Sequence, residues 1–424
     1  MIYKLLFPVF RHSLYQFFSS VSISGEAPVE SGPLLIVCNH QNDLIDSIVV
    51  GAAYKRPLWF LAKAALFKRG PVRWLMERAH LIPVHRKQDS DDSRQMLEGN
   101  RAMFQAVFNG LSASQAVAIY PEGTCWGERV LNPLKTGAAR IALGAEAESD
   151  FELGLKIQAL GLTYSDMDQF RSTVTLRIGE AFDLASYKEK YEANPKDAVR
   201  ELTEEIEARI RAVTVEVPSG ETERLVEKIN KLYQTIGGTE DDYERFNIIA
   251  ANVVSLAPKF PEQKALIEKR IDNVLLMMNS LSLREGQNIN LNLSAFKVSM
   301  LLPVILLGSA VFSVPYRCVR HLVQALSKHP SDQGTLKFVL GMLLFPLWVF
   351  ILSFAFAFFG GGYLGGCLAF IGLSALAYLV NSILPELTLL LFSKVWPVNP
   401  NPITVVQKMR DELVEELESL RLTP

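Results

Sequence analysis

Asn39-His40-Gln41-Asn42-Asp43-Leu44-Ile45-Asp46 places a histidine beside two carboxylates, between the apolar runs Leu34-Leu35-Ile36-Val37-Cys38 and Ser47-Ile48-Val49-Val50. The first run is short, uninterrupted and rich in branched residues, which predicts a buried strand. His40 then stands at a strand end, the edge where open α/β sheets expose side chains to a crevice above a rigid backbone. An imidazole whose tautomer is fixed by a carboxylate can take a proton from an alcohol at neutral pH. Read alone, the same pattern also describes a surface or capping histidine.

Outward from this stretch, residues 33 to 182 alternate short apolar runs with longer helical stretches. Residues 34–39, 57–62, 80–85, 116–122, 156–164 and 173–181 read as strands, an α/β order. Ser93 to Asn109 carries Met96, Met103, Val107 and Phe108 at helical spacing and stops at Gly110. Two strands end in polar groups. His80-Leu81-Ile82-Pro83-Val84-His85-Arg86 delivers a guanidinium whose planar fork of donors suits a phosphate, or else a solvated basic turn with Lys87. Ile119-Tyr120-Pro121-Glu122-Gly123-Thr124 ends in a carboxylate followed by a glycine that permits a tight turn. Pro133 to Arg140 then brings Lys135 to the same edge, ahead of a helix rich in small residues.

At 424 residues the chain has room for two or three domains, and a hydrophobic fraction of 49% exceeds what an ordinary soluble protein needs. A formal net charge of −2 argues against a nucleic-acid surface. Cys38, Cys125, Cys318 and Cys367 lie far apart without ligand or paired spacing, which implies a reduced compartment and no metal. Residues 1–25 are rich in aromatics, but Arg11 and His12 interrupt them, so they read as an amphipathic helix on a membrane or against the next domain.

In this order, Asn-His with a following Asp, Pro-Val-x-Arg, Pro-Glu-Gly-Thr, and Gly161-Leu162-Thr163-Tyr164 with Phe170-Arg171-Ser172 and Gly179 resemble the phospholipid/glycerol acyltransferases. The resemblance covers about residues 20–185 and extends to Phe60-Leu61-Ala62-Lys63 and Lys135-Thr136-Gly137-Ala138-Ala139-Arg140. It implies acyl transfer from acyl-CoA or acyl carrier protein to glycerol 3-phosphate or lysophosphatidate, with no cofactor. His40 would be the general base and Asp46 its orienting carboxylate. Glu122, Gly123 and Thr124 would bind the acceptor and Arg86 its phosphate, with Lys63 and Lys135 as further candidates. The family's commonest form has four residues between His and Asp, whereas five separate His40 from Asp46; this spacing resembles the fungal-type glycerol 3-phosphate and dihydroxyacetone phosphate acyltransferases. Six positions on one continuous α-helix would leave the two side chains about 120° apart. The expectation is therefore a non-helical turn at His40, with the helix starting near Asn42 or Asp43 and Asp43 as a rival partner. Cys125-Trp126 is a second departure, after Thr124. Cys38 lies within the apolar strand, where it reads as a small buried residue rather than a nucleophile.

Beyond Phe182 the stretches 197–215 and 263–278 have apolar residues at a period near 3.6 with polar opposite faces, which predicts a helical region over 186–298. Phe338 to Pro385 holds no charged residue, long enough for a transmembrane hairpin over about 338–384 that turns at Gly360 to Gly366. Met300 to Tyr316, with Pro303 and Pro315, is a third span or a re-entrant or interfacial segment within a membrane region of 299–395. Trp396 suits an interface, and 396–424 reads as an amphipathic C-terminal helix. The whole predicts a mixed-sheet α/β acyltransferase domain over 26–185, a helical region and a C-terminal membrane hairpin, with the catalytic domain on the cytoplasmic side. The rival readings are an acyltransferase for another lysolipid or alcohol, a thioesterase, and a non-enzymatic membrane scaffold.

Overall fold

The computed structural model describes residues 2–67, 70–85, 93–127, 129–218, 220–234, 242–256, 261–280, 295–327, 332–390 and 402–420. Two compact units divide the chain: Met1–Glu216 with Pro330–Thr335, and Val217–His329 with Leu336–Pro424.

The first unit is built on a seven-stranded mixed sheet. Its strands are β1 (Ser20–Gly25), β2 (Leu34–Cys38), β3 (Leu58–Lys63), β4 (Leu81–Val84), β5 (Ala116–Ile119), β6 (Lys156–Tyr164) and β7 (Thr173–Phe182), in the spatial order β1-β7-β6-β2-β5-β3-β4. The β6–β7 pair is antiparallel and the other neighbouring pairs are parallel. Helices of this unit are α1 (Ile2–Phe17), α2 (Asp43–Ala53), α3 (Gly70–Arg78), α4 (Ser93–Ser112), α5 (Gly137–Ala147), α6 (Lys188–Ala193) and α7 (Pro195–Val213).

The central strands read as continuous apolar runs because both sheet faces are covered, as parallel sheets require. Along β2, Leu35 and Val37 join Val117, Ile157 and Ala159 in a core with residues of α4, α5 and α7, while Leu34, Ile36 and Cys38 point to the opposite face by strand alternation. Leu202, Ile206, Ile210 and Val213 of α7 lie in that same core. This corrects the expected boundary: the helices at 188–213 complete the α/β unit and do not begin a separate helical region.

A second correction concerns the N-terminus. The expected helix over 1–25 ends at Phe17, and Ser20–Gly25 forms an edge strand parallel to β7. Leu14, Phe17 and Phe18 are buried, so this segment is packed into the unit.

Gly161 on β6 packs closely against the end of α7. A Cβ there would overlap the carbonyl oxygen of Val213, a backbone atom that cannot swing aside. Gly161→Ala is expected to force β6 from the end of α7 and lower stability by about 1–3 kcal/mol, the range for overpacking a filled core. A thermal melt unchanged from the parent would refute this packing.

In the second unit, α8 (Glu221–Gln234), α9 (Asp242–Leu256), α10 (Pro261–Ser280) and α14 (Pro402–Ser419) bury facing stripes that include Ile229, Phe246, Ile271 and Leu417. Ile267, Ile271 and Val274 of α10 are buried as their spacing predicts, but Leu266 is exposed. Three longer helices follow in chain order between α10 and α14: α11 (Ala295–Leu326), α12 (Asp332–Phe356), whose first residues 332–335 belong to the first unit, and α13 (Gly362–Leu390). Residues 300–316 lie within α11, which runs through Pro303 and Pro315. Among the described residues, one helical stretch, Asp332–Val380, is long and apolar enough to cross a membrane. It is interrupted between α12 and α13, where Phe359 and Gly360 leave helical geometry and Gly360 has φ +130°, a conformation that favours glycine. Phe354, Phe358, Phe359, Tyr363, Leu364 and Ile371 in this stretch are exposed. Trp396 lies outside the described residues.

Candidate active site

Strand β2 ends at Cys38, and the chain makes a short non-helical turn before α2 begins at Asp43. The Asn39 side chain ties this turn to β6, donating to the Leu162 carbonyl at 3.0 Å and accepting from the Leu162 N–H at 2.8 Å. Asp43 has φ +38°, a left-handed conformation uncommon for a residue with a side chain, and it lies in the turn that accommodates the fifth residue between His40 and Asp46.

With the turn so placed, His40 Nδ1 lies 2.8 Å from Asp46 Oδ2. The same carboxylate oxygen accepts the N–H groups of Gln41 and Asn42, each at 2.8 Å. Asp46 thus reaches back over the first turn of α2 in the manner of a capping residue, satisfying donors that the helix leaves unpaired. Its other oxygen accepts the Tyr164 hydroxyl at 2.6 Å. Asp46 is fully buried, whereas the His40 side chain keeps 15% of its exposure, enough to meet a ligand. Tyr120 stacks on the imidazole with ring centroids 4.1 Å apart, and its hydroxyl shares a 3.1 Å hydrogen bond with Ser47.

Glu122 follows β5. Its Oε1 accepts the His40 backbone N–H at 2.8 Å, and its Oε2 accepts the N–H and side-chain amide of Asn132 at 3.1 and 3.2 Å. Burial raises its pKa above the ordinary carboxylate value, partly opposed by those donated hydrogen bonds. Both oxygens of this expected acceptor ligand are therefore engaged in holding the His40 turn and the 121–135 loop. Gly123 has φ +71°, and a Cβ there would meet Lys135 Nζ, so the glycine leaves room for this exposed lysine. Thr124 is partly exposed beside it, and Lys63 is exposed at the end of β3. Arg86 and Lys87 lie outside the described residues.

The Asp43 carboxyl is raised by burial, an effect opposed by His40 and Lys63. Cys38 is buried and its thiol is pushed well above the ordinary value, first by burial and then by Asp46 and Glu122; a thiol so held is a poor nucleophile. Cys125 Sγ accepts the Asp43 N–H at 3.4 Å, and its thiol is likewise raised by burial. Donor atoms of His40, Asp43 and Cys125 lie within 4.8 Å of one another, a set that could hold a divalent ion, which cysteine spacing along the chain did not disclose.

Residues 332–335 of the first unit also border the site. Thr335 Oγ1 donates to the Asn42 carbonyl at 3.4 Å, and Gly334 packs so tightly on Asn42 and the Met167 carbonyl that no side chain fits. The structure therefore brings His40, Asp46, Glu122, Gly123 and Lys135 to one sheet edge and adds Tyr120, Asn132 and Tyr164. Tyr164 stands in the quoted Gly-Leu-Thr-Tyr block, and strand alternation from Leu160 and Leu162 puts it on the α2 face.

The site is thus a histidine paired with a buried carboxylate at a strand end of a mixed sheet. Residues 20–160 match the model of the Acyltransferase family, and that segment is a domain of this family. Glycerol-3-phosphate O-acyltransferase 2 of Saccharomyces cerevisiae is 33% identical over 138 residues, which cover 32% of this chain and 18% of that protein. Glycerol-3-phosphate O-acyltransferase 1 of the same yeast is 31% identical over 136 residues, covering 31% of this chain and again 18% of the relative. The chain thus aligns with less than a fifth of the length of either. The crystal structure of the 1-acyl-sn-glycerophosphate acyltransferase PlsC from Thermotoga maritima superposes with a TM-score of 0.33 at 18% identity, covering 49% of this chain and 80% of that one.

Proposed function

We propose that the protein is a membrane-bound acyltransferase that moves a fatty acyl group from acyl-CoA or acyl carrier protein to a hydroxyl of glycerol 3-phosphate or lysophosphatidate. The observation that carries this reading is the 2.8 Å contact between His40 Nδ1 and the buried Asp46 carboxylate. With Nδ1–H donated to Asp46, the lone pair of Nε2 is free to accept the proton of an acceptor alcohol. The alcohol oxygen attacks the thioester carbonyl carbon, the carbon–sulfur bond breaks, and the imidazolium returns its proton to the departing thiolate. Asp46 stabilises the imidazolium between those steps. No acyl-enzyme is needed, in keeping with the burial of Cys38. The names of the two yeast relatives, both glycerol-3-phosphate acyltransferases, support the acceptor class.

Purified protein in detergent, given acyl-CoA and a panel of phosphorylated and unphosphorylated acceptors, should yield an acylated glycerophosphate by mass spectrometry. Thioester consumption without a lipid product would overturn the reading in favour of a hydrolase. Arg86 is assigned the acceptor phosphate, because a guanidinium makes two parallel charge-assisted bonds that an ammonium cannot. Arg86→Lys should therefore lower kcat/KM for phosphorylated acceptors by about tenfold, the effect of about 1.4 kcal/mol, and leave hydrolysis of the thioester without acceptor unchanged. An unchanged preference among acceptors would remove that assignment.

The membrane part of the proposal rests on the exposed apolar stretch Asp332–Val380. We place α12 and α13 as two crossings that turn at Gly360 to Gly366. Arg317 and Arg320 at the end of α11, Lys328, and Lys337 at the start of α12, against Asp332, keep this junction cytoplasmic with the catalytic domain. In a background lacking the native cysteines, a cysteine at Tyr363 should react with an impermeant reagent from the side opposite to one at Lys196. Labelling of both from one side would refute the hairpin.

A further inference from the structure

We infer that Tyr164 is the positioning residue for the His40–Asp46 pair and that Arg129 is the clamp that holds Tyr164 in place. The inference rests on the acyl-transfer reading only for its kinetic test. Asp46 Oδ2 is committed to His40 and to two backbone N–H groups, and Oδ1 is held by the Tyr164 hydroxyl at 2.6 Å. Without that donor the carboxylate plane is fixed from one side only, and its oxygen can lean away from the imidazole. Tyr164 has no exposure, and burial, then the neighbouring Asp46 charge, holds its hydroxyl far above the ordinary phenol range. The hydroxyl therefore keeps its proton and donates it to Asp46.

Arg129 fixes the backbone from which Tyr164 projects. Arg129 is 1% exposed, and its Nη2 donates to the carbonyls of Tyr164 at 2.7 Å and Ser165 at 3.2 Å, at the end of β6. Taking a guanidinium out of water is costly unless its hydrogen bonds are met, so a buried arginine at this point marks a backbone that has to be held. The loop that carries Arg129 also carries Glu122, which accepts the His40 backbone N–H at 2.8 Å. One loop thus sets both partners of the pair, the histidine through Glu122 and the aspartate through Arg129 and Tyr164.

The test is a double-mutant cycle on the full chain in detergent with Tyr164→Phe, Asp46→Asn and the double variant. Tyr164→Phe is expected to lower kcat about tenfold with KM unchanged, and to cost less than about twofold once Asp46→Asn is present, because the two act as one unit. Equal factors in both backgrounds would mean a merely structural tyrosine and would overturn the inference. Arg129→Lys, which keeps the charge but ends one bond short of the Nη2 position that reaches both carbonyls, should show the same non-additivity with Asp46→Asn; it replaces Tyr164→Phe in the cycle if that variant does not fold. Absence of turnover in the parent protein would instead be a failure of the acyl-transfer reading. In that event the proton NMR resonance of His40 Nδ1–H, assigned by its loss in His40→Ala, decides the matter: displacement in Tyr164→Phe supports the positioning role, and an unmoved resonance overturns it.

Discussion

His40→Ala should abolish acyl transfer to within the background rate while the protein remains folded. The loss is set by the role proposed for Nε2: removing a positioned general base costs about 10²-fold to 10⁴-fold in rate. The retained fold follows from where the local structure gets its support. Strand β2 is buried on both faces by Leu34 to Val37, and the bond from residue 40 to Glu122 uses the backbone N–H, which alanine keeps. What the substitution removes is the stack on Tyr120 and one of the donors to Asp46, and three other donors remain on that carboxylate. Stability should therefore fall by no more than about 1–2 kcal/mol, the cost of one hydrogen bond to a charged group partly replaced by water. Turnover of His40→Ala near the parent value, with the thermal melt retained, would show that the base lies elsewhere.

The strands that flank the site were legible because they are central: β2, β3 and β5 are apolar on both faces and stand out as runs. Strand β1 was not. Ser20-Val21-Ser22-Ile23-Ser24-Gly25 alternates, is half exposed at the sheet edge, and follows an aromatic helix whose composition dominates the window. The stripe of α7 was legible as a helix face, but periodicity states that a face is buried and not against what, so its place under β6 needed the fold. A similar limit applies to the site. His40 and Asp46 are six positions apart and could be paired by asking where a helix starts, whereas Tyr164 and Asp46 are separated by 118 positions and meet because β6 lies beside β2. Glu122 was visible as a motif residue, yet its bond to the His40 turn depends on β5 neighbouring β2.

Asp46→Asn should be nearly as damaging as loss of His40, and Asp43→Asn much less so. Three N–H groups converge on Asp46 Oδ2, and a tyrosine hydroxyl donates to Oδ1. An asparagine in that place has one acceptor oxygen and one amide that only donates. If its oxygen takes the Oδ2 position, the amide faces the Tyr164 hydroxyl, which can turn to accept, but the negative charge that stabilises an imidazolium is gone. If the amide takes the Oδ2 position, it faces two backbone donors and favours the tautomer with the proton on Nε2, where a base needs a lone pair. Either arrangement removes the support for general-base action, and the expected loss in kcat is about 10³-fold to 10⁴-fold, as for triads in which the orienting carboxylate is neutralised. Asp43 bears a different relation to the pair. It begins α2, its backbone N–H is committed to Cys125 Sγ, and its carboxyl acts on His40 only through space, so Asp43→Asn should change kcat by no more than about tenfold. Comparing the two variants by steady-state kinetics, with a melt to verify folding, tests the register of the whole turn. A larger loss from Asp43→Asn than from Asp46→Asn would mean that α2 presents the earlier carboxylate to the imidazole, and the arrangement of residues 39 to 46 described above would have to be redrawn.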